Sequence, residues 1–273
     1  MHPIDHWPLS ARHQITGVLT DIDDTLTTAG AITPEALAAL GALKNAGLKV
    51  IAITGRPVGW SEPFARDWPV DALVAENGAV ALIANQEVLL RPSGRPVPLS
   101  KRYQVDTQTR SANMVRMQAV LARIERELPG THRATDSPGR ETDIAIDHSE
   151  FARLGPAQTA EVVQLMRSEG LNATVSSIHI NGWVGSHNKL EGARWIVREL
   201  LGRDLDAERD RWVYIGDSTN DQLMFEAFGN SIGVANVRHF EAQLSHLPRY
   251  ITRGERGAGF AEMAAALLAA RAE

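Results

Sequence analysis

Residues 18–25 read VLTDIDDT, with Asp21, Asp23 and Asp24 directly behind an apolar run that begins at Ile15. Clustered carboxylates repel one another, so acids at the end of a buried strand need a counter-charge or a task. A hard cation such as Mg²⁺ prefers oxygen ligands and keeps part of its water shell. An ionised carboxylate can also attack phosphorus, forming an acyl phosphate that divides hydrolysis into two steps. Three further polar clusters follow: Thr54, Gly55 and Arg56 behind LKVIAI, then Lys189, then GDSTND over 216–221. Asp21 and Asp217 can share the cation. Thr54 and the backbone amides of Gly55 and Arg56, at a helix start, suit a phosphate. Lys189 adds positive charge where phosphoryl transfer concentrates negative charge. Asp23, two residues beyond Asp21, is placed to protonate a leaving oxygen and then to activate water. Each cluster alone also fits a plain role, since Asp and Thr cap helices and Asp-Ser-Thr-Asn makes turns. Their order along the chain carries the weight.

These clusters meet only if the strands before them open on one sheet edge, where ligands of α/β proteins bind. The elements support that. After the first strand, Thr33 reads as an N-cap, Pro34 as the first helical residue and Gly47 as the stop. A strand LKVIAI, a helix from about Trp60 to Trp68, a strand DALVAE and a hairpin turning at Asn85 and Gln86 follow. Strands alternating with helices predict right-handed crossovers and a parallel sheet. From about Pro92 the stretch RPSGRPVPLSKR reads as a linker. A second α/β unit comes next, with a long helix whose stripe is Met114, Met117, Leu121, Ile124 and Leu128, then a strand TDIAIDH, a helix from Gln158 to Glu169 and a strand pair in ATVSSIHINGWVG. The first pattern resumes with a helix from Lys189 to about Leu201, a strand RWVYIGDS, a helix from Thr219 to Phe228, a strand SIGVAN and a C-terminal helix. The expected division is a core of residues 1–95 and 183–273 with an inserted unit of residues 96–182.

The bulk numbers narrow the partners. The chain of 273 residues carries a net charge of -5, from 28 Lys+Arg against 33 Asp+Glu, so nothing in its composition favours nucleic acid. It has no cysteine, which excludes disulfides, thiolate metal sites and a Cys nucleophile. The N-terminal stretch lacks a secretory pattern, and no apolar run approaches the roughly 20 residues that span a bilayer. A small phosphorylated molecule as partner, no nucleic acid, no membrane and a cytoplasmic location are the expectations. Oligomeric state is left open.

Taken together, the four clusters resemble the motifs of the haloacid dehalogenase superfamily of phosphohydrolases. That family's first motif is an apolar strand followed by Asp-x-Asp-x-Thr, matched by VLTDIDDT; IAITG, Lys189 and YIGDSTND match the other three in order. The α/β texture of the insertion is similar to the Cof-type subclass IIB, which contains sucrose-phosphate, trehalose-phosphate and mannosyl-3-phosphoglycerate phosphatases. The resemblance implies a Rossmann-like parallel-sheet core with an inserted α/β cap. It also implies an Mg²⁺-dependent phosphatase acting through an aspartyl phosphate on a sugar phosphate or phosphorylated sugar acid. Asp21 would be the nucleophile, Asp23 the acid/base, Thr54 and Lys189 phosphate ligands and Asp217 a metal ligand, joined by the Asp23 carbonyl. Asn220 and Asp221 would position Lys189 or metal-bound water. A phosphohexomutase of the same superfamily, or a binding protein on the same fold, is the alternative. Two departures stand out: KLEGARW where many relatives have Lys-Gly, and Asp24 where many carry Gly. In the cap, His179, Asn181 and Trp183 alternate along a strand and so share one face, the expected surface for substrate. Arg133 and Arg140 are candidates for a second anionic group, and Glu76, Asn77 and Gly78 for a substrate contact.

Overall fold

The run behind the first acids is a strand buried along its whole length, β2 in a nine-stranded sheet of the computed structural model, which describes residues 1–84 and 98–271. In chain order that sheet contains β1 (His2–Pro3), β2 (Gly17–Thr20), β5 (Lys49–Ile53), β6 (Ala72–Ala75), β7 (Val80–Ala84), β8 (Leu99–Tyr103), β13 (Trp212–Gly216), β14 (Ser231–Gly233) and β15 (Tyr250–Ile251). A small hairpin, β3 (Thr27–Thr28) with β4 (Ala31–Ile32), follows β2. A second sheet holds β9 (His132–Arg133), β10 (Ile144–Asp147), β11 (Asn172–Val175) and β12 (His179–Trp183).

The spatial order of the large sheet is β1-β15-β14-β13-β2-β5-β6-β7-β8, parallel from β1 to β6 and antiparallel beyond. The chain moves outward from β2 through β5 and β6, then returns on the other side at β13. The order therefore reverses between β2 and β13, and the crevice at such a switch point is where open α/β sheets bind ligands. Helices cover both faces, as parallel strands buried on both sides require. The helices Pro34–Asn45 and Arg256–Ala270 pack Leu40, Leu43, Phe260 and Met263 on one face. The helices Lys189–Leu201 and Gln222–Ala227 pack Ile196, Val197, Met224 and Phe225 on the other.

The second sheet is antiparallel and buries one face under the helices Thr107–Glu127 and Pro156–Ser168. Met117, Leu121 and Ile124 of the expected stripe are buried there with Val162, Met166 and Ile180, while Met114 and Leu128 are partly covered. Two expectations need adjustment. The end of the stretch read as a linker forms a strand, Leu99–Tyr103, which pairs with β7 in the large sheet, so residues 99–103 do not belong to the second sheet. The helix expected from Thr219 to Phe228 is a 3-10 turn, Thr219–Asp221, followed by a shorter helix, because the Asp221 carboxylate folds back onto the amides of Asp217 and Ser218. The turn expected at Asn85 and Gln86 lies outside the described residues. Among the described residues no helix is long and apolar enough to cross a membrane.

Candidate active site

At the end of β2 the Asp21 amide donates to the Ile215 carbonyl of β13 at 2.9 Å, which sets the first acid beside the neighbouring strand end. The chain then turns on the Ile22 carbonyl, which accepts from the amides of Thr25, Leu26 and Thr27. Within this turn Asp24 has φ +53°, a left-handed conformation that Asp tolerates better than most residues with a side chain. Glycine would adopt the same conformation without the steric cost of a Cβ. The Asp24 carboxylate lies 2.9 Å from Arg256 Nε.

Asp217 enters from the end of β13, and Lys189 from the first residue of its helix, where Asn188 caps by accepting the Glu191 amide. Lys189 starts its helix close to the 76–78 turn because two glycines meet: a Cβ on Gly192 would sit 2.5 Å from the Gly78 Cα. Buried Lys189 Nζ donates to Asp21 Oδ1 at 2.5 Å, Asp221 Oδ1 at 2.6 Å and Asn220 Oδ1 at 3.3 Å. Asp221 also accepts from the Tyr214 hydroxyl and from the amides of Asp217 and Ser218.

Asp21, Asp217 and Asp221 each offer an oxygen within 4.8 Å of the others, and all three are buried. One lysine cannot balance them. Burial pushes the Asp21 carboxyl up to about 7, against the attraction of Lys189 and with the Asp221 charge adding to the rise. Burial also raises Asp217 well above the carboxylate range, with Asp21 and Asp221 reinforcing it. Asp217 Oδ2 accepts from Asn236 Nδ2 at 3.2 Å, but its Oδ1 is buried without a hydrogen-bond partner. An orphan oxygen in a cluster of hard donors fits a divalent cation of the Mg²⁺ type. Asn236, which sequence reasoning missed, ties this acid to the first turn through a second bond to the Asp24 carbonyl at 3.0 Å.

Asp23 sits on the opposite side. Arg56 Nε reaches its two oxygens at 3.0 and 3.1 Å, and the Thr54 hydroxyl lies 3.5 Å away. Burial raises the Asp23 carboxyl while Arg56 opposes the rise. The Arg56 amide donates to Thr54 Oγ1 at 3.0 Å, and its side chain spans to the second unit, meeting Glu150 at 2.7 Å and Asp136 at 3.3 Å. Glu150 is presented by Asp147, whose carboxylate accepts four successive amides from Ser149 to Ala152.

The three β12 residues expected to face substrate are already engaged, and Trp183 packs with Met117 and Ile180 in the second unit. His179 Nε2 lies 2.9 Å from Glu150 Oε2, and Asn181 donates to the Gly55 carbonyl at 3.2 Å and to Asp143 at 3.0 Å. Trp183 is buried, donates to the His187 carbonyl and stacks on the His187 ring at 5.4 Å. Arg140 is locked between Asp143, Asp136 and the Gly55 carbonyl, and exposed Arg133 pairs with Glu125, so neither is free for a second anion. Glu76 is fully buried and accepts the amides of Val58, Glu141 and Thr142 and the Thr142 hydroxyl, joining the two units. Asn77 and Lys189 instead line a cleft of about 360 Å³ with Trp183 and Asn220.

Residues 18–94 match the family model described as haloacid dehalogenase-like hydrolase. No curated protein matches the chain. Among solved structures, a Thermoplasma acidophilum protein aligns with TM-score 0.70 at 15% identity, over 93% of this chain and 98% of its own. The sucrose-phosphatase of Synechocystis, solved with sucrose and phosphate, aligns with TM-score 0.63 at 14% identity over 93% and 98%. A haloacid dehalogenase subclass IIB sugar phosphatase aligns with TM-score 0.58 at 15% identity over 92% and 96%. The chain therefore has the fold its motifs imply, and the resemblance to this superfamily holds.

Proposed function

We propose that this chain, built on the haloacid dehalogenase-like hydrolase fold, is a phosphatase that hydrolyses a phosphomonoester, a sugar phosphate or a phosphorylated sugar acid, through an aspartyl phosphate. The observation that carries the reading is the cluster at the β2–β13 switch point: Asp21 held by Lys189, with Asp217 Oδ1 unpartnered beside it. The sugar phosphatases among the structural neighbours support the substrate class.

In this reading an Asp21 oxygen attacks phosphorus and the bond to the leaving oxygen breaks, while Asp23 gives that oxygen its proton. Asp23 then takes a proton from the water that attacks the acyl phosphate, releasing Asp21 and inorganic phosphate. Arg56 favours the charged form of Asp23 and burial the protonated form, opposing influences suited to a group that must act in both. The Thr54 hydroxyl and Lys189 ammonium would bind phosphoryl oxygens. Held by Asp21, Asp217 and the Asp23 carbonyl, Mg²⁺ would supply charge neutralisation for attack of a carboxylate on a phosphate dianion. We assign the inserted unit, from after Tyr103 to the end of β12 at Trp183, as a cap over this site.

The test is phosphate release from p-nitrophenyl phosphate. Wild-type protein with Mg²⁺ turns it over, Asp21→Asn falls to background, and Asp23→Asn loses roughly 10²–10⁴-fold in kcat. Undiminished turnover by Asp21→Asn would remove the nucleophile from this scheme.

A further inference from the structure

The cleft beside Lys189 continues into a second cavity of about 790 Å³, and Val163, Arg167, Val175 and Gln243 line both. Each is of a size that takes a small organic ligand. Among the described residues no Asp or Glu lines either cavity, although the chain is acidic overall and the neighbouring site is crowded with carboxylates. Lys189 stands in the wall of the first, and Arg167 of the helix Pro156–Ser168 in the wall shared by both.

Arg167 differs from the arginines expected to read an anion. Arg133 and Arg140 have acidic partners, whereas the Arg167 side chain makes one hydrogen bond among the described residues, from Nη2 to the Ala173 carbonyl at 3.2 Å. A guanidinium has five N–H donors, so most of its capacity is open to a ligand. The inner cavity adds two groups that lack partners among the described residues: Asn77 Nδ2, on a residue only 2% exposed, and Thr174 Oγ1. A buried amide donor without an acceptor is costly unless a ligand supplies one.

Resting on the phosphatase reading, we propose that the natural substrate carries a second anionic group on its leaving portion, bound by Arg167, with Asn77 and Thr174 engaging hydroxyl or carbonyl oxygens between the two anions. The chemistry shared by its sources is a planar or tetrahedral oxyanion, a sugar carboxylate or a second phosphate, for which an arginine fork is suited.

The experiment compares matched pairs: gluconate 6-phosphate against glucose 6-phosphate, and fructose 1,6-bisphosphate against fructose 6-phosphate. The wild-type protein prefers the doubly anionic member of at least one pair by about tenfold or more in kcat/KM, the scale of one charged hydrogen-bonded contact. The carboxylate pair and the bisphosphate pair tell the two sources apart. In Arg167→Ala that ratio falls toward one, mainly through KM, and in Arg167→Lys part of it returns. A wild-type ratio near one in both pairs, or a ratio unaltered in Arg167→Ala, overturns the proposal. Calorimetric binding of the same four compounds to Asp21→Asn and to Asp21→Asn/Arg167→Ala reads the contact without turnover. If wild type releases no phosphate from p-nitrophenyl phosphate, the phosphatase reading fails, while the calorimetric difference still decides whether Arg167 holds the second anion.

Discussion

At the scale of single residues, the site is defined by charge imbalance. Three buried acids face one buried lysine, and the Asp217 oxygen without a partner marks where the imbalance is greatest. Function-bearing clusters of this kind destabilise the empty fold. Asp217→Asn should therefore raise the stability of the metal-free protein by about 1–3 kcal/mol and remove the rise in Tm that Mg²⁺ gives the wild type. Thermal melts with and without Mg²⁺ measure both, and a variant that keeps the full Mg²⁺ response would exclude Asp217 as ligand. Asp21, Asp23, Thr54, Lys189 and Asp217 could be picked from the sequence because each stands at a strand end or helix start that topology gathers. Asn236 and the Arg56 side chain could not. Their importance lies in hydrogen bonds to Asp24, Asp217 and Asp23 across distant parts of the chain, and neither residue type announces such a partner.

At the scale of elements, the helix Lys189–Leu201 fixes where the ammonium sits, and its position depends on the backbone contact between Gly192 and Gly78. A methyl group on Gly192 has nowhere to go without moving one of the two backbones. Gly192→Ala should cost about 1–3 kcal/mol, as overpacking does, and lower kcat because Lys189 moves away from Asp21. Gly41→Ala is the control: nothing lies within 4 Å of the added Cβ in the helix Pro34–Asn45, so it should stabilise by roughly 0.5–1 kcal/mol. Equal Tm values for the two variants would contradict the packing argument. In KLEGARW the glycine stands at the fourth position, where the helix touches the 76–78 turn. Hydrophobic period identified the parallel strands and the Met117–Ile124 stripe. It gave no sign of Leu99–Tyr103, whose partly polar run LSKRY lies mostly within the stretch read as a linker from its composition.

At the scale of the whole molecule, the inserted unit meets the core through charged and polar groups, with Glu150 on Arg56 and His179 at its centre. His179 and Arg56 hold the Glu150 carboxyl down to about 2 against the effect of burial. A depressed carboxyl stabilises the fold fully above its usual value of 4.5 and loses that contribution as pH falls toward 2. His187 acts at milder acidity, since burial lowers its imidazole from 6.5 to about 4, and the neutral form it favours must be given up across that interval. Because the raised Asp21 and Asp217 carboxyls act in the opposite sense as pH falls below 7, the Glu150 contribution is read against a variant: between pH 4.5 and 2, Glu150→Gln should lose less Tm than the wild type. A Glu150→Gln profile parallel to that of the wild type would sink this account.

The stack of Trp183 on His187 gives the inserted unit an optical property of its own. Of the six tryptophans at positions 7, 60, 68, 183, 195 and 212, only Trp183 lies in that unit, and its ring borders the cleft beside Lys189. An imidazole gaining charge next to an indole alters its emission, and so does a ligand displacing water from the same wall. With the other five replaced by phenylalanine, one fluorophore would report proton uptake at His187 and occupancy of the cleft from the same position, with no label attached.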